Sequence, residues 1–210
     1  MTNAPSPSAV VLAGGLSRRM GEQEKSLMEI GGQPIIGHVI SRLQKQADSI
    51  LISANGNPDR FDQFKLPVEE DTVEGFAGPL AGILAGMRWC AANHPESKYL
   101  LSVAADTPFF PDDLLEKLLA DIPQEEGAIA LASSNGQRHP VFGLWSVSLA
   151  DELQHFLVEE GNRKVMLFVQ RYPNCLVDFG QNTDPDPFFN VNTPEDLALA
   201  KSYKLGALNV

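Results

Sequence analysis

The sequence predicts an α/β protein built on a doubly wound, mostly parallel sheet, with a mixed, antiparallel part in its second half. Three observations carry this. Apolar runs of strand length alternate with helix-length segments from Ala9 to Ala120. Two of these runs, Ala9 to Ala13 and Tyr99 to Ala104, are apolar almost throughout, as expected of parallel strands covered on both faces. Beyond Gly127 the rhythm shortens to strand, turn and strand around Ser133-Ser134-Asn135-Gly136, the spacing of a hairpin.

Taken in order, Ala9 to Ala13 is the first strand, and Leu27 to Ile30 a short apolar segment closed by Gly31-Gly32. Pro34 suits the first position of a helix that reaches about Gln46, with Ile35, Ile36, Val39, Ile40 and Leu43 on its buried stripe. Ser49 to Ser53 is the second strand, followed by the turn formers Ala54 to Pro58, a short helix over Asp59 to Phe64, and a third strand over Leu66 to Glu69. Pro79 opens a helix running to about Ala92. Gly78, Gly82 and Gly86 share one of its faces, so that face meets either the sheet or a ligand closely. Tyr99 to Ala104 is the central strand, and Pro111 with Asp112-Asp113 opens the next helix, ending near Ala120.

The second half places strands over Gly127 to Ala132 and Val141 to Trp145 and a helix over Ser148 to Leu157. A second helix ends near Gln170, and a strand covers Asn174 to Phe179. The polar segment Gln181 to Pro187 is a candidate loop over a ligand site. Thr193, Pro194 and Asp196 make an N-cap, a first-turn proline and a capping-box acid for the last helix, which reaches about Tyr203.

Composition bounds the function. The 210 residues fit one domain, residues 9–210, behind a flexible lead-in, residues 1–8, that lacks the basic and apolar regions of a signal peptide. A net charge of −11 argues against nucleic-acid and anionic-membrane partners. No apolar stretch of about 18 residues is present, and the cytoplasm is the expected compartment. Cys90 and Cys175 make neither a disulfide framework nor a zinc pattern, and read as buried or half-buried thiols.

Against that acidic background, one basic cluster stands out. The first strand ends in Leu12-Ala13-Gly14-Gly15, followed by Leu16-Ser17-Arg18-Arg19-Met20-Gly21 and then Lys25. Glycines let backbone N–H groups close on an anion, and arginine and lysine match a polyphosphate. The pattern is not a P-loop, because Gly21 is followed by Glu22, nor is it G-x-G-x-x-G. A solvated basic turn explains the same residues. Asp106 is the best single acid: it follows the central strand, at the sheet edge where ligands bind in open α/β folds. One strand-end carboxylate suits magnesium (Mg2+) bound to a triphosphate, although a loop aspartate is the plainer reading.

These motifs, with Asp106-Thr107-Pro108, Arg138-His139-Pro140, Asn162-Arg163-Lys164-Val165-Met166 and Asn190-Val191-Asn192-Thr193-Pro194, resemble a known family. They are similar to nucleotidyltransferases of the GT-A-like, nucleotide-diphospho-sugar transferase fold, a Rossmann-like α/β sheet. The Ser-Arg-Arg-Met-Gly loop points to the molybdenum cofactor guanylyltransferase branch, and the resemblance covers nearly the whole chain after residue 8.

It implies a donor half, about 9–120, and an acceptor half, about 121–210. The implied reaction moves GMP from GTP to the phosphate of molybdopterin carrying molybdenum, and releases pyrophosphate. Leu12, Ala13, Gly14, Gly15, Lys25, Ser53, Asn55, Asp71, Gly78 and Asp106 are then candidate GTP contacts. Arg19, Lys25 and Asp106 are the catalytic group, with Asp106 on the metal. Asp71 accepts from guanine N1–H and the N2 amine. Ser53 stands where the family carries asparagine. Arg138, His139, Arg163, Lys164, Asn190 and Asn192 are candidate acceptor contacts, and molybdoenzyme apoproteins or their chaperones are candidate partners. A cytidylyltransferase on the same cofactor, a sugar-nucleotide pyrophosphorylase and a non-catalytic cofactor carrier are the competing readings.

Overall fold

A computed structural model of the chain describes residues 7–14, 24–71, 73, 78–180 and 186–207. Gly15, Arg19 and the rest of residues 15–23, the lead-in 1–6 and residues 181–185 lie outside the described residues.

The strands are β1 (Ser8–Leu12), β2 (Glu29–Ile30), β3 (Gln33–Pro34), β4 (Ile50–Ser53), β5 (Val68–Glu69), β6 (Tyr99–Ala104), β7 (Ile129–Ser134), β8 (Gln137–Ser146) and β9 (Asn174–Asp178). The α-helices are α1 (Ile35–Leu43), α2 (Pro79–Asn93), α3 (Leu114–Asp121), α4 (Ala150–Val158), α5 (Val165–Val169) and α6 (Pro194–Ala207). The seven-stranded sheet runs β5-β4-β1-β6-β8-β7-β9. Its first four strands are parallel, β8 pairs antiparallel with both β6 and β7, and β9 returns parallel to β7. The expected mixed part therefore begins beside the central strand. Leu27 to Ile30 belongs to a small hairpin in which β2 and β3 flank Gly31-Gly32, both at positive φ. Helix α1 stops at Leu43, and the expected last turn to Gln46 is closed by bonds from Gln46 N and Ala47 N to Leu43 O, both at 2.8 Å.

Alternation along β1 divides the core. Ala9 and Val11 face a layer with α1 and α3, where Ile36, Val39, Leu43, Leu114 and Leu118 are buried. Val10 faces α2, α4 and α5 through Leu80, Ile83, Phe156 and Phe168, in a layer that also holds Trp145 of β8. Covering both faces of a parallel sheet is what makes its strands read as continuous apolar runs. The polar exception in β6, Ser102, is fully buried and paired: it donates to Val141 O at 2.6 Å and accepts from Trp145 Nε1 at 2.8 Å. It thus ties the central strand to its antiparallel neighbour.

Between Leu131 and Ala132 the β7–β8 register slips from Gly143 to His139, leaving Pro140 to Phe142 out of the ladder. Proline has no N–H to give a ladder, so a bulge is a natural place for it. A third, smaller core packs Val191, Leu197 and Ala200 against Ile30 and Ile35, which brings the start of α6 beside β2 and α1.

Candidate active site

The carboxyl ends of β1, β4 and β6 open on a cleft of about 440 Å³, lined by Leu12, Ala13, Gly14, Lys25, Ser53, Asp71, Gly78 and Asp106 among others. That volume lies within the usual range for small-molecule sites. Residues far apart in sequence meet there because neighbouring parallel strands end at the same level.

Asp106 follows β6. Its carboxylate accepts from Lys25 Nζ at 2.6 Å, and Lys25 also donates to Asn192 Oδ1 at 2.6 Å. Thr107, fully buried, donates to Asn190 Oδ1 and lies 3.3 Å from Asp106 Oδ1. Val191 N bonds Asp106 O at 2.9 Å. The closing Asn-Val-Asn motif is thus part of the same cluster as the strand-end aspartate. A capping box holds it there: Asp196 accepts from Asn192 N and Thr193 N, both at 2.9 Å, while Asp196 N bonds Thr193 Oγ1 at 3.1 Å. Arg42 of α1 grips the stretch after Asp106 by donating to Pro108 O and Phe110 O at 3.0 Å and to Asp112 at 2.7 Å.

On the other wall stands Asp71. Asn55 Nδ2 donates to its carboxylate at 2.9 Å, and Asn55 Oδ1 accepts from Asp71 N at 2.9 Å; Ser53 Oγ donates at 3.3 Å. Arg60 fastens the Asn55 loop by donating to Asn55 O and Asn57 O at 2.7 Å. Its Nε also lies 2.5 Å from Glu24, close in distance but not aligned as a hydrogen bond. A carboxylate has about four acceptor positions. Asp71 therefore keeps acceptor capacity beyond the bonds from Ser53 and Asn55.

The glycine stripe divides between its two readings. A methyl at Gly82 would come within 2.7 Å of Leu12 Cδ2 and 2.8 Å of Ser53 Oγ, and one at Gly86 within 3.0 Å of Val10 Cβ. These two serve the helix–sheet contact. Gly78, at the N-terminus of α2, has no atom of the described residues within 4 Å of its would-be methyl and lines the cleft.

Of the second-half residues, Asn190 and Asn192 join the Lys25–Asp106 group. Arg138 is exposed on β8 beside half-buried His139, and Arg163 and Lys164 are exposed ahead of α5; none of these four lines the cleft. His139 Nε2 is 2.7 Å from Ser134 Oγ, and its ring stacks on Phe188 at 4.4 Å. Burial lowers the His139 pKa, opposed in part by the charge of Asp186. Asp186 itself is pushed up by burial, but bonds from Phe188 N, Asn135 and Ser134 outweigh this and hold it below the usual carboxylate range.

Sequence reasoning missed Arg42, Arg60, Ser134 and Asp186. Their partners lie far away in sequence or are backbone carbonyls, which no motif announces. Thr107 was visible only as the middle of Asp-Thr-Pro. Among the described residues no three or more His, Cys, Asp or Glu side chains gather as a metal cluster. Asp106 alone suits a magnesium ion that takes its other ligands from phosphate and water.

Residues 9–173 match the family model described as the MobA-like NTP transferase domain. The chain is 49% identical over 195 residues to a molybdenum cofactor guanylyltransferase of Mesorhizobium japonicum, covering 92% of this chain and 93% of that one. It is 46% identical over 205 residues to one from Rhodopseudomonas palustris, covering 98% and 97%. The crystal structure of molybdopterin-guanine dinucleotide biosynthesis protein A from Archaeoglobus fulgidus shares the fold, with a TM-score of 0.71 at 22% identity over 95% of this chain and 99% of that one. A cleft at the ends of β1, β4 and β6, whose lysine is held by an Asn-Val-Asn motif, and matches across most of the chain lead to one conclusion: the chain belongs to the MobA-like NTP transferase family.

Proposed function

We infer that this chain transfers GMP from GTP to the phosphate of molybdenum-bearing molybdopterin, forming the guanine dinucleotide cofactor and pyrophosphate. The observation that carries this reading is a single cleft joining a glycine turn, a lysine–aspartate pair and a buttressed second carboxylate. The names of relatives at 49% and 46% identity support it.

An acceptor phosphate oxygen attacks the α-phosphorus of GTP as the bond to pyrophosphate breaks. That oxygen is already anionic at neutral pH, so the reaction calls for positioning and charge stabilisation rather than a base. Lys25 and Arg19 are assigned to the triphosphate, with backbone N–H groups of Gly14-Gly15 as further donors. Leu12, Ala13 and Gly78 leave room for the nucleotide to approach the sheet edge. Asp106 would hold magnesium, which when bound would neutralise phosphate charge. Asn190 and Asn192 keep Asp106 and Lys25 in register. Asp71, braced by Asn55 and Ser53, accepts from the two donors of guanine's Watson–Crick edge, a pair adenine lacks. Arg138, Arg163 and Lys164, which stand outside the cleft, are assigned to the anionic acceptor, with apoenzymes or their chaperones as recipients of the product in the cytoplasm; His139 serves the Ser134 network instead.

Calorimetry with each of the four nucleoside triphosphates, with and without magnesium, tests the donor site. Selective GTP binding strengthened by magnesium is expected. A preference for CTP would change the product, and binding of no triphosphate would overturn the reading.

A further inference from the structure

Asp186 lies outside every sequence motif, yet among the described residues three donors converge on its carboxylate. Ser134 Oγ lies 2.9 and 3.0 Å from its two oxygens, Asn135 Nδ2 donates at 2.8 Å, and Phe188 N donates at 2.8 Å. The first two donors sit at the tip of the β7–β8 hairpin, and the third begins the chain that ends at Lys25.

Proton counting fixes the roles. Ser134 Oγ carries one proton and faces both an acceptor-only carboxylate and His139 Nε2 at 2.7 Å. Giving that proton to the histidine would set oxygen lone pairs against the carboxylate. The proton therefore goes to Asp186, and Ser134 accepts from a protonated Nε2. With the ring neutral, Nδ1 is left as its acceptor. Phe188, buried and met edge-on by Phe142 and Phe179 at 4.9 and 5.5 Å, holds the ring plane. His139 is consequently a donor into this network through Nε2 and cannot act there as a base.

We propose that Asp186 is a positioning residue for the transfer reaction: it fixes the Nε2–H tautomer of His139 through Ser134 and anchors the 186–192 chain that sets Asn190 on Thr107 and Asn192 on Lys25. The kinetic part rests on the GMP-transfer reading; the tautomer part does not. Burial keeps the His139 ring neutral near pH 7, in agreement with this assignment.

The test compares wild type with Asp186→Asn by long-range 15N–1H spectra of histidine-labelled protein, with His139→Gln to assign the signal, and by steady-state kinetics. Wild type is expected to show His139 as Nε2–H. In Asp186→Asn the side-chain amide can itself donate to Ser134, so the signal should move toward Nδ1–H. The same variant should lose about tenfold or more in kcat, while KM for GTP stays within about twofold. An Nδ1–H wild type, or unchanged kcat in the folded variant, overturns the proposal. If Asp186→Asn does not fold, Ser134→Ala decides, since it cuts the relay and spares the bonds from Asn135 and Phe188; an unmoved tautomer there overturns it. If wild type transfers no GMP, the functional reading fails while the spectra still decide the tautomer.

Discussion

In the cleft, Lys25 and Asp106 neutralise each other at 2.6 Å, and each is a group that a metal-bound triphosphate would claim. At the tip of the β7–β8 hairpin, Asp186 is surrounded by three donor groups from its own chain. Both regions hold a carboxylate, but Lys25 and Asp106 can exchange partners, whereas Asp186 is held by three donors fixed within the fold. A well-satisfied network rigidifies, whereas an exchangeable pair is suited to meeting a ligand. The 186–192 segment joins the two, so rigidity in one supports placement in the other.

The largest expected effect comes from emptying the exchangeable side. Asp106→Ala should lower magnesium-dependent GMP transfer by about 10³-fold or more; near-normal turnover in a pyrophosphate-release assay would remove Asp106 from the site. Next, Asp71→Asn replaces an acceptor oxygen by a donor amide, and GTP-over-ATP discrimination should fall by about tenfold or more. Unchanged discrimination by calorimetry would place base recognition elsewhere.

A smaller effect separates packing glycines from the cleft glycine. Gly86→Ala brings a methyl within 3.0 Å of Val10 Cβ, a branched stem that cannot swing away. Overpacking of about 1–3 kcal/mol should exceed the gain in helix propensity of about 1 kcal/mol, and urea melts should show the net loss. Gly78→Ala, with no described atom within 4 Å of the new methyl and an extended φ, should keep its stability and weaken GTP binding instead.

The smallest effect is pH-dependent. Burial depresses the His139 pKa below its ordinary value, so the unfolded chain binds its proton first as pH falls through about 6.5. Stability should therefore drop below that pH until the folded-state pKa is reached. Asp186, also depressed, contributes stability above about 3.8 that is lost as pH falls through its folded pKa. Denaturant midpoints from pH 8 to 5 should slope less in His139→Gln than in wild type; parallel curves would mean that His139 does not titrate differently in the two states.

Much of the fold was legible in local pattern. The apolar runs at β1 and β6, the prolines at α2 and α6, and the Thr193–Asp196 box each act within a few residues. Lys25 and Asp106 were also visible, in the glycine-rich loop after β1 and at the end of β6, whereas Asp71 was legible only through the family resemblance, because Glu69-Glu70-Asp71 alone reads as a solvated acidic turn. The small β2–β3 hairpin was hidden because two-residue strands are too short for a periodicity. The extension of β8 through Arg138 and His139 was obscured by Pro140, which reads as a strand breaker and is accommodated by a bulge.

By itself, the sequence determined the alternation of strands and helices, the glycine-rich first turn and the acid after the central strand. Those features follow from periodicity and residue chemistry over short spans. Only the tertiary structure decided that Asn192 reaches Lys25 across 167 residues, that Asn55 braces Asp71, and that Asp186 orders Ser134 and His139. Such contacts depend on which strand ends lie side by side and on donor and acceptor counts in partly buried space, neither of which is encoded by a local pattern.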